Sequence, residues 1–450
     1  MMRYNMKKFQ LLFVLVCALT SVQAQVKKWS LQECIAYAEK NNLSIAQFEL
    51  DYEQSLIEKS DAIGRLLPNL SGSMSASGNT GLALDPTTNT LVSSTIFSGS
   101  GNLGSSLTVF DGLRNVYRLQ RAEMSRLAAT YNLDNLKDNI RLNIVNAYLQ
   151  VVSAKETLKT IEAQKTVTQK DLERATVLQS SGVIPQGDVV ELEATLAGQQ
   201  QQLVETQNRV IMGRITLAQL LQIRDYVNFD VVDGDIPIPV SDIANNDPKV
   251  IFEKAMSFRG DIKLAETNVD IAKKDLQIAK GSKYPTVGMF VNYNTRYSDQ
   301  NYDRLTGQLI GFQEQLWTND GISYGAQMNI PIFNGNSLNN AIKRSKIQLE
   351  RSQLQYAQQT LDLEANVNQA YADVEGTFNA YQASLKTLEA RTLSLRYARE
   401  RFEVGMMNAF EYSQAQSRLD AAQASMIQSK YNYIFRLKVL EYFFGVRLEA

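Results

Sequence analysis

The sequence predicts a mainly α-helical protein with a small β part: a duplicated, long-helix coiled-coil barrel carrying four β-strands per chain. Three observations predict it. Residues 113 to 181 contain neither glycine nor proline. Within them Leu133, Leu136, Ile140, Ile144, Ala147, Val151, Ala154, Leu158 and Ile161 recur at spacings of three or four, the period of a coiled-coil seam. At about 1.5 Å per residue that stretch is a rod of roughly 100 Å. The chain also repeats itself: Pro68 and Pro285, Ala38 and Ala255, Ile45 and Ile262, Ala62 and Ala279, and Gly64 and Gly281 all lie 217 apart. Beyond them the offset becomes 223, matching Phe110-Asp111-Gly112 to Phe333-Asn334-Gly335, Ala147-Tyr148 to Ala370-Tyr371, and Gly182 to Gly405. Third, each copy holds one stretch where the apolar period changes to two.

Residues 1–24 read as a secretory signal. Arg3, Lys7 and Lys8 precede the apolar run Leu11 to Leu19, and Val22-Gln23-Ala24 supplies small residues for cleavage. The run is too short for a permanent bilayer helix, which needs about 20 residues. Lipidation at Cys17 is disfavoured by the bulky Val16 before it. Cleavage removes three cations and no anions, taking the formal charge from -1 to -4, which argues against a nucleic-acid partner. Only Cys34 remains, so no intrachain disulfide can form.

The first repeat spans 25–224. A helix is expected from Leu31 to Leu66, stopped by Pro68. A β-hairpin follows at 69–110, with alternation in Asn69 to Thr80 and again in Leu103 to Phe110, separated by a Gly, Ser, Thr and Asn loop. Then come the long helix 113–181, a turn at Gly182, and a helix over 188–222. Residues 225–248, with clustered prolines, form the connector. The second repeat, 249–450, has a helix, a hairpin at 286–333, a long helix 338–404 interrupted only by Gly376, a turn at Gly405, and a helix 408–444.

In the second hairpin Val287, Met289, Val291 and Tyr293 share one face of the up strand, and Tyr324, Ala326, Met328, Ile330 and Ile332 one face of the down strand; the opposite faces are small or polar. A membrane strand and a half-buried soluble strand both alternate this way, but two isolated hairpins between long helices have no other sheet to pack on. Tyr293, Tyr324 and Trp317 are candidates for a membrane-surface aromatic belt or for a surface loop. The short helices of the first copy together nearly match its long one in length, so each copy reads as two helical columns topped by a hairpin. Four strands cannot close a membrane barrel, whose smallest examples have about eight, so the chain must oligomerise; tube geometry alone allows a dimer or a trimer.

The proline stops in LLPNL and KYPTV, the corners VFDG and PIFNG, and the turns LQSSGVIPQGDVVELEA and RFEVGMMNAFEYSQAQ resemble those of the TolC-like outer membrane efflux proteins, as does the C-terminal stretch SRLDAAQASMIQSKYNYIFRLKVLEYFFG. The resemblance covers the mature chain and includes the duplication. It implies a homotrimer in outer membrane lipid with a twelve-stranded barrel and a long periplasmic helical tunnel. It also implies a periplasmic adaptor and an inner membrane RND or ABC transporter as partners, and no cofactor. By position it assigns the periplasmic aperture to Asp188, Phe402, Met407, Glu411 and Gln414, of which only Asp188 is an identity. The departures remove a phenol, a carboxylate and a cation, leaving hydrophobic Phe402 and Met407 and rings of Asp188 and Glu411. The turns at Gly182 and Gly405 become the adaptor-docking tips.

Simpler roles stand beside these. Asp188 with Glu191, and Asn408 with Glu411, have capping-box spacing. Phe402 alone suits packing. Asp111 and Asn334, each before a glycine (Gly112 and Gly335), fit turn and cap chemistry at the strand-to-helix corners. With no histidine, no phosphate loop and no nucleophile elbow, the sequence offers no foothold for enzyme chemistry or a metal site. A duct for secreted proteins or peptides of the type I kind, and a pore-free periplasmic coiled-coil scaffold, are the alternatives.

Overall fold

The computed structural model describes residues 27–84, 88–234, 236–239, 241–303 and 305–446. The signal sequence and Cys17 lie outside them. The described residues divide into two compact units, one of those up to residue 47, 134–259 and from 361 onward, the other of those in 48–133 and 260–360.

In chain order the elements are β1 (Lys28–Trp29), α1 (Leu31–Asn41), α2 (Leu43–Gly64), β2 (Asn69–Leu84), β3 (Leu91–Phe110), α3 (Arg114–Ser180), α4 (Gln186–Leu221), β4 (Asp230–Val231) and a 3-10 turn (Asp242–Asn245). Then follow α5 (Pro248–Phe258), α6 (Gly260–Gly281), β5 (Thr286–Ser298), α7 (Phe312–Thr318), β6 (Gly321–Asn329), α8 (Ser337–Glu403) and α9 (Ala409–Phe443). The two rods, α3 and α8, have 67 residues each.

Three expectations are corrected. The helix expected over Leu31 to Leu66 breaks at Asn42, whose Oδ1 accepts from Ser44 N at 2.9 Å and so starts a second helix. The first helix of the second copy breaks at Arg259, 217 positions on, with the same extended backbone. The strands of the first hairpin run further than expected, to Leu84 and from Leu91, with Ser75 and Ser100, Ser77 and Ser98, and Thr80 and Thr95 bonded across it at 2.8 to 3.1 Å. The second hairpin contains a helix, α7, and its down strand ends at Asn329, before Ile330 and Ile332.

The repeat extends to backbone detail. Positive φ occurs at Gly112 and Gly335, Leu113 and Asn336, Gly182 and Gly405, and Gln222 and Gly445, each pair 223 apart. The hairpin registers obey the same offsets, Asn69 opposite Ser106 and Thr286 opposite Asn329.

The unit containing the sheet orders its strands β2-β3-β5-β6, all antiparallel. Leu70, Met74, Leu103, Leu107, Met289, Val291, Tyr293, Tyr324 and Met328 share one face by register, and Met74 is 95% exposed. Ser71, Ser73, Ser75, Ser100, Asn102, Asn292, Asn294, Ser323 and Gln327 share the other. An apolar face this large and this exposed calls for a covering surface, of lipid or of protein. At the first corner the Asp111 carboxylate accepts from Asn115 N at 3.1 Å, and at the second Asn334 Oδ1 accepts from Leu338 N at 3.4 Å, so both residues cap helices. A Cβ on Gly112 would lie 2.2 Å from the Gly281 carbonyl oxygen, so that corner admits only glycine.

The other unit has an apolar core at its waist. Leu31, Cys34 and Ala38 of α1, Ile144, Tyr148, Val151 and Val152 of α3, Leu217 and Leu221 of α4, and Tyr431 and Ile434 of α9 enclose Phe229 and Val231 of the connector. The connector is fastened by Lys155, whose Nζ reaches Asp230 at 2.7 Å, Asp233 at 2.6 Å and the Val231 carbonyl at 2.9 Å. Its β4 pairs in parallel with β1. Burial pushes the Cys34 thiol up to about 12, so it stays protonated.

Candidate functional site

The turns that end α3 and α8 are built alike. Val183 N bonds to Leu178 O and Gly182 N to Gln179 O; Met406 N bonds to Arg401 O and Gly405 N to Phe402 O. These are two Schellman caps, closed by glycines at φ 74° and 75°.

Beyond the turns, α4 and α9 begin differently. Asp188 lies in the first turn of α4, where Pro185 is the cap residue and makes no side-chain bond, so the capping box expected of Asp188 and Glu191 is absent. Its Oδ1 instead accepts from Ala409 N at 3.1 Å. Asn408 Oδ1 accepts from Glu411 N at 2.8 Å. Two acceptors, one from each repeat, thus satisfy the N-terminus of α9, and the carboxylate complements its positive end.

Phe402 stacks on Tyr412 with ring centres 4.9 Å apart and planes 6° from parallel. With Met407 it packs against Ala175, Val189, Leu192, Ala398 and Ala409 in a small apolar core. Glu411 and Gln414 are exposed. Of the five aperture candidates, the structure therefore draws Asp188, Phe402 and Met407 into the tip and leaves Glu411 and Gln414 on its surface.

A charged network behind that core was not anticipated. The buried Tyr412 hydroxyl donates to Asp171 Oδ2 at 2.7 Å, and Arg399 Nη2 meets Asp171 Oδ1 at 3.1 Å. Arg174 Nη1 meets Glu403 at 3.0 Å, and Arg399 Nε approaches the same carboxylate at 3.5 Å. Burial, then the Asp171 carboxylate, raise the Tyr412 phenol. These residues join the two rods and α9. Asp171 and Arg399 are 228 apart, off both repeat offsets, so no sequence periodicity could pair them.

Between tip core and waist core, polar side chains share the inward positions with buried Ile161, Leu203 and Val210. Gln416 Nε2 donates to Thr168 Oγ1 at 2.6 Å, Gln199 Nε2 to Asp420 Oδ2 at 3.1 Å, and Gln164 bonds Gln423. Burial pushes the Asp420 carboxyl up to about 6, partly offset by the Gln199 bond. Gln199 Oε1, Gln416 Oε1 and Ser413 Oγ are buried without a protein partner. Ser413, Gln416, Asp420 and Gln423 are spaced three, four and three apart, so α9 turns a polar seam inward where the waist has an apolar one.

Among the described residues no cluster of histidine, cysteine, aspartate or glutamate could hold a metal, and no helix is long and apolar enough to cross a membrane. A family model described as outer membrane efflux protein matches residues 35–221 and 252–443, the two repeats in turn. The chain belongs to the outer membrane efflux protein family. Its relatives include the outer membrane efflux protein BepC of Brucella suis, 21% identical over 76% of this chain and 71% of that protein. Toxin and drug export protein A of Aggregatibacter actinomycetemcomitans is 22% identical over 91% and 84%. Among solved structures, the Campylobacter jejuni CmeC outer membrane channel matches with a TM-score of 0.80 at 15% identity, covering 92% of this chain and 85% of that one. This efflux family member is an outer membrane protein whose long helical portion is periplasmic.

Proposed function

We propose that the protein is a homotrimeric, passive exit duct. It receives substrate from an inner membrane RND or ABC transporter through a periplasmic adaptor and releases it outside the cell. The observation that carries this reading is the repeat itself. Each copy supplies one continuous 67-residue rod and one hairpin, and the four-stranded sheet has a lipid-type face but two open edges, which bilayer hydrocarbon does not tolerate. Three chains would supply twelve strands, enough to close a barrel.

The tip is the element that would open. Asp188, Phe402, Met407, Glu411 and Gln414 would line its aperture, with the Gly182 and Gly405 turns as the adaptor's docking points. The Asp188 bond to Ala409 and the Phe402–Tyr412 stack hold the turns of the tip by packing and capping within each chain. Carboxylates there would favour cations.

Deleting the gene and comparing drug and dye susceptibility with the secreted proteome tests the reading. Sensitisation with an unchanged secretome is expected. Loss of secreted proteins with unchanged susceptibility would instead favour a protein or peptide secretion duct, a reading that the toxin export named for one relative keeps in view. Cross-linked membranes with this chain as bait should yield an adaptor; consistent failure to recover one, with the chain soluble in the periplasm, would sink the duct in favour of a scaffold.

A further inference from the structure

The repeat predicts how one copy of the chain joins the next. Within the chain, the first copy's down strand β3 pairs with the second copy's up strand β5: Ser105 lies opposite Val291, Leu103 opposite Tyr293 and Gly101 opposite Thr295. The equivalent strands of the opposite copies, β6 and β2, are the two open edges of the sheet. Adding 223 to the β3 residues and subtracting 217 from the β5 residues converts the observed pairing into Met328 opposite Met74, Ala326 opposite Ala76, and Tyr324 opposite Gly78. All six belong to the lipid-type face, whereas a slip by one residue would set Ser75 or Ser77 of the polar face opposite Ala326.

The same conversion applies below the sheet. Gly112 packs on Gly281 within the chain, and their equivalents are Gly335 and Gly64; a Cβ on either of these would meet nothing within 4 Å. Phe333 is 83% exposed against 39% for its equivalent Phe110, and Ile332 is 94% exposed against 54% for Val109. The second corner thus has a surface whose counterpart the chain covers for the first. Arg121 forms an ion pair with Asp275 at 2.7 Å; the equivalents are Arg344 and Glu58, again a cation and a carboxylate. Leu50 and Ile57 on α2, and Ile347 and Leu354 on α8, are exposed apolar residues seven apart, two half-seams that lack partners in the isolated chain.

We propose that β6 and the Gly335 corner of one copy seat against β2 and Gly64 of the next, with Ala326 opposite Ala76 of the neighbouring copy and Arg344 paired with its Glu58. The partner is a second copy of this chain, and the interface repeats the one the chain already makes between its own halves. This rests on the homotrimeric reading above and adds to it a register and an ion pair.

Cysteine pairs in a Cys34→Ser background test it in isolated outer membranes. Directly opposite strand residues have Cβ atoms about 4.5–5.5 Å apart and diagonal ones about 7–8 Å, against about 3.5–4.5 Å in a disulfide. Ala76→Cys with Ala326→Cys should give oxidised dimers and trimers on denaturing gels. Ala76→Cys with Met328→Cys, shifted by two, should give about tenfold less. In parallel, Arg344→Glu should lower the yield of heat-resistant oligomer about threefold, and adding Glu58→Arg should restore it. An intact oligomer that cross-links only at the shifted pair, or that the charge swap fails to rescue, overturns the register and leaves the trimer standing. A membrane-bound monomer with no cross-link at any pair overturns both.

Discussion

The waist and the segment beneath it are made from the same helices yet differ in what those helices turn inward. At the waist, Ile144, Val151, Leu217 and Ile434 make a closed apolar core, and Lys155 ties the connector to it with three bonds. Toward the tip Thr168, Gln199, Gln416 and Asp420 join buried Ile161, Leu203 and Val210 at the inward positions. An apolar seam gains from every methylene it buries, about 0.8 kcal/mol each. A polar seam gains little net energy from each bond, but it penalises any register that leaves a buried amide or carboxyl unpaired. The waist holds the rods together; the polar seam fixes where along each other they sit.

The largest effect is expected where the contrast is greatest. Leu217 is fully buried, and Leu217→Ala should lower stability by about 2–5 kcal/mol in urea or thermal unfolding of the detergent-solubilised protein. Thr206→Ala, at an equally buried polar position on the same helix, should cost about 1 kcal/mol. Equal losses at the two sites would mean that the polar segment is as tightly built as the waist.

Asp420 sharpens the comparison through pH. Its folded carboxyl is raised to about 6 from an ordinary value of 3.8, so the folded state takes up a proton more readily than the unfolded one. The sign follows: its contribution to stability is fully present below the unfolded value and is lost as pH rises through the folded one, between about 4 and 6. At neutral pH the ionised group is a penalty on the order of 3 kcal/mol. Asp420→Asn should therefore stabilise the protein at pH 7 and leave it unchanged near pH 4, provided the amide keeps a bond to Gln199. A stability gap between variant and parent that did not close on acidification would show that Asp420 titrates normally.

The rods and the repeat were legible because their signals are dense. The absence of glycine and proline over 113–181 and the seam from Leu133 to Ile161 locate α3 to within a residue at each end. The break at Asn42 was hidden because it needs neither breaker residue, only an amide that caps the next helix. The length of the first hairpin was hidden because serine ladders look like a loop until the opposite strand is known. At the tip, Gly182 and Gly405 were readable from local chemistry. The Tyr412, Asp171 and Arg399 cluster was not, since it depends on which face of α9 meets α3, and that is fixed by packing across repeats.

An effect as small as that of Thr206→Ala is expected at one member of that cluster. Tyr412→Phe keeps the ring on Phe402 and the volume of the tip core, and removes only the hydroxyl that donates to Asp171. Asp171 retains Arg399 at 3.1 Å, so its charge stays compensated and the loss should be about 1 kcal/mol. Arg399→Met removes the cation and leaves the carboxylate, 12% exposed, with the phenol alone, so it should cost more. Local amide hydrogen exchange separates this from the waist: both variants should speed exchange around Ala409 to Gln416 and leave the amides near Ile434 as slow as before. Faster exchange at both places would mean that tip and waist open together and that the polar seam does not insulate one from the other.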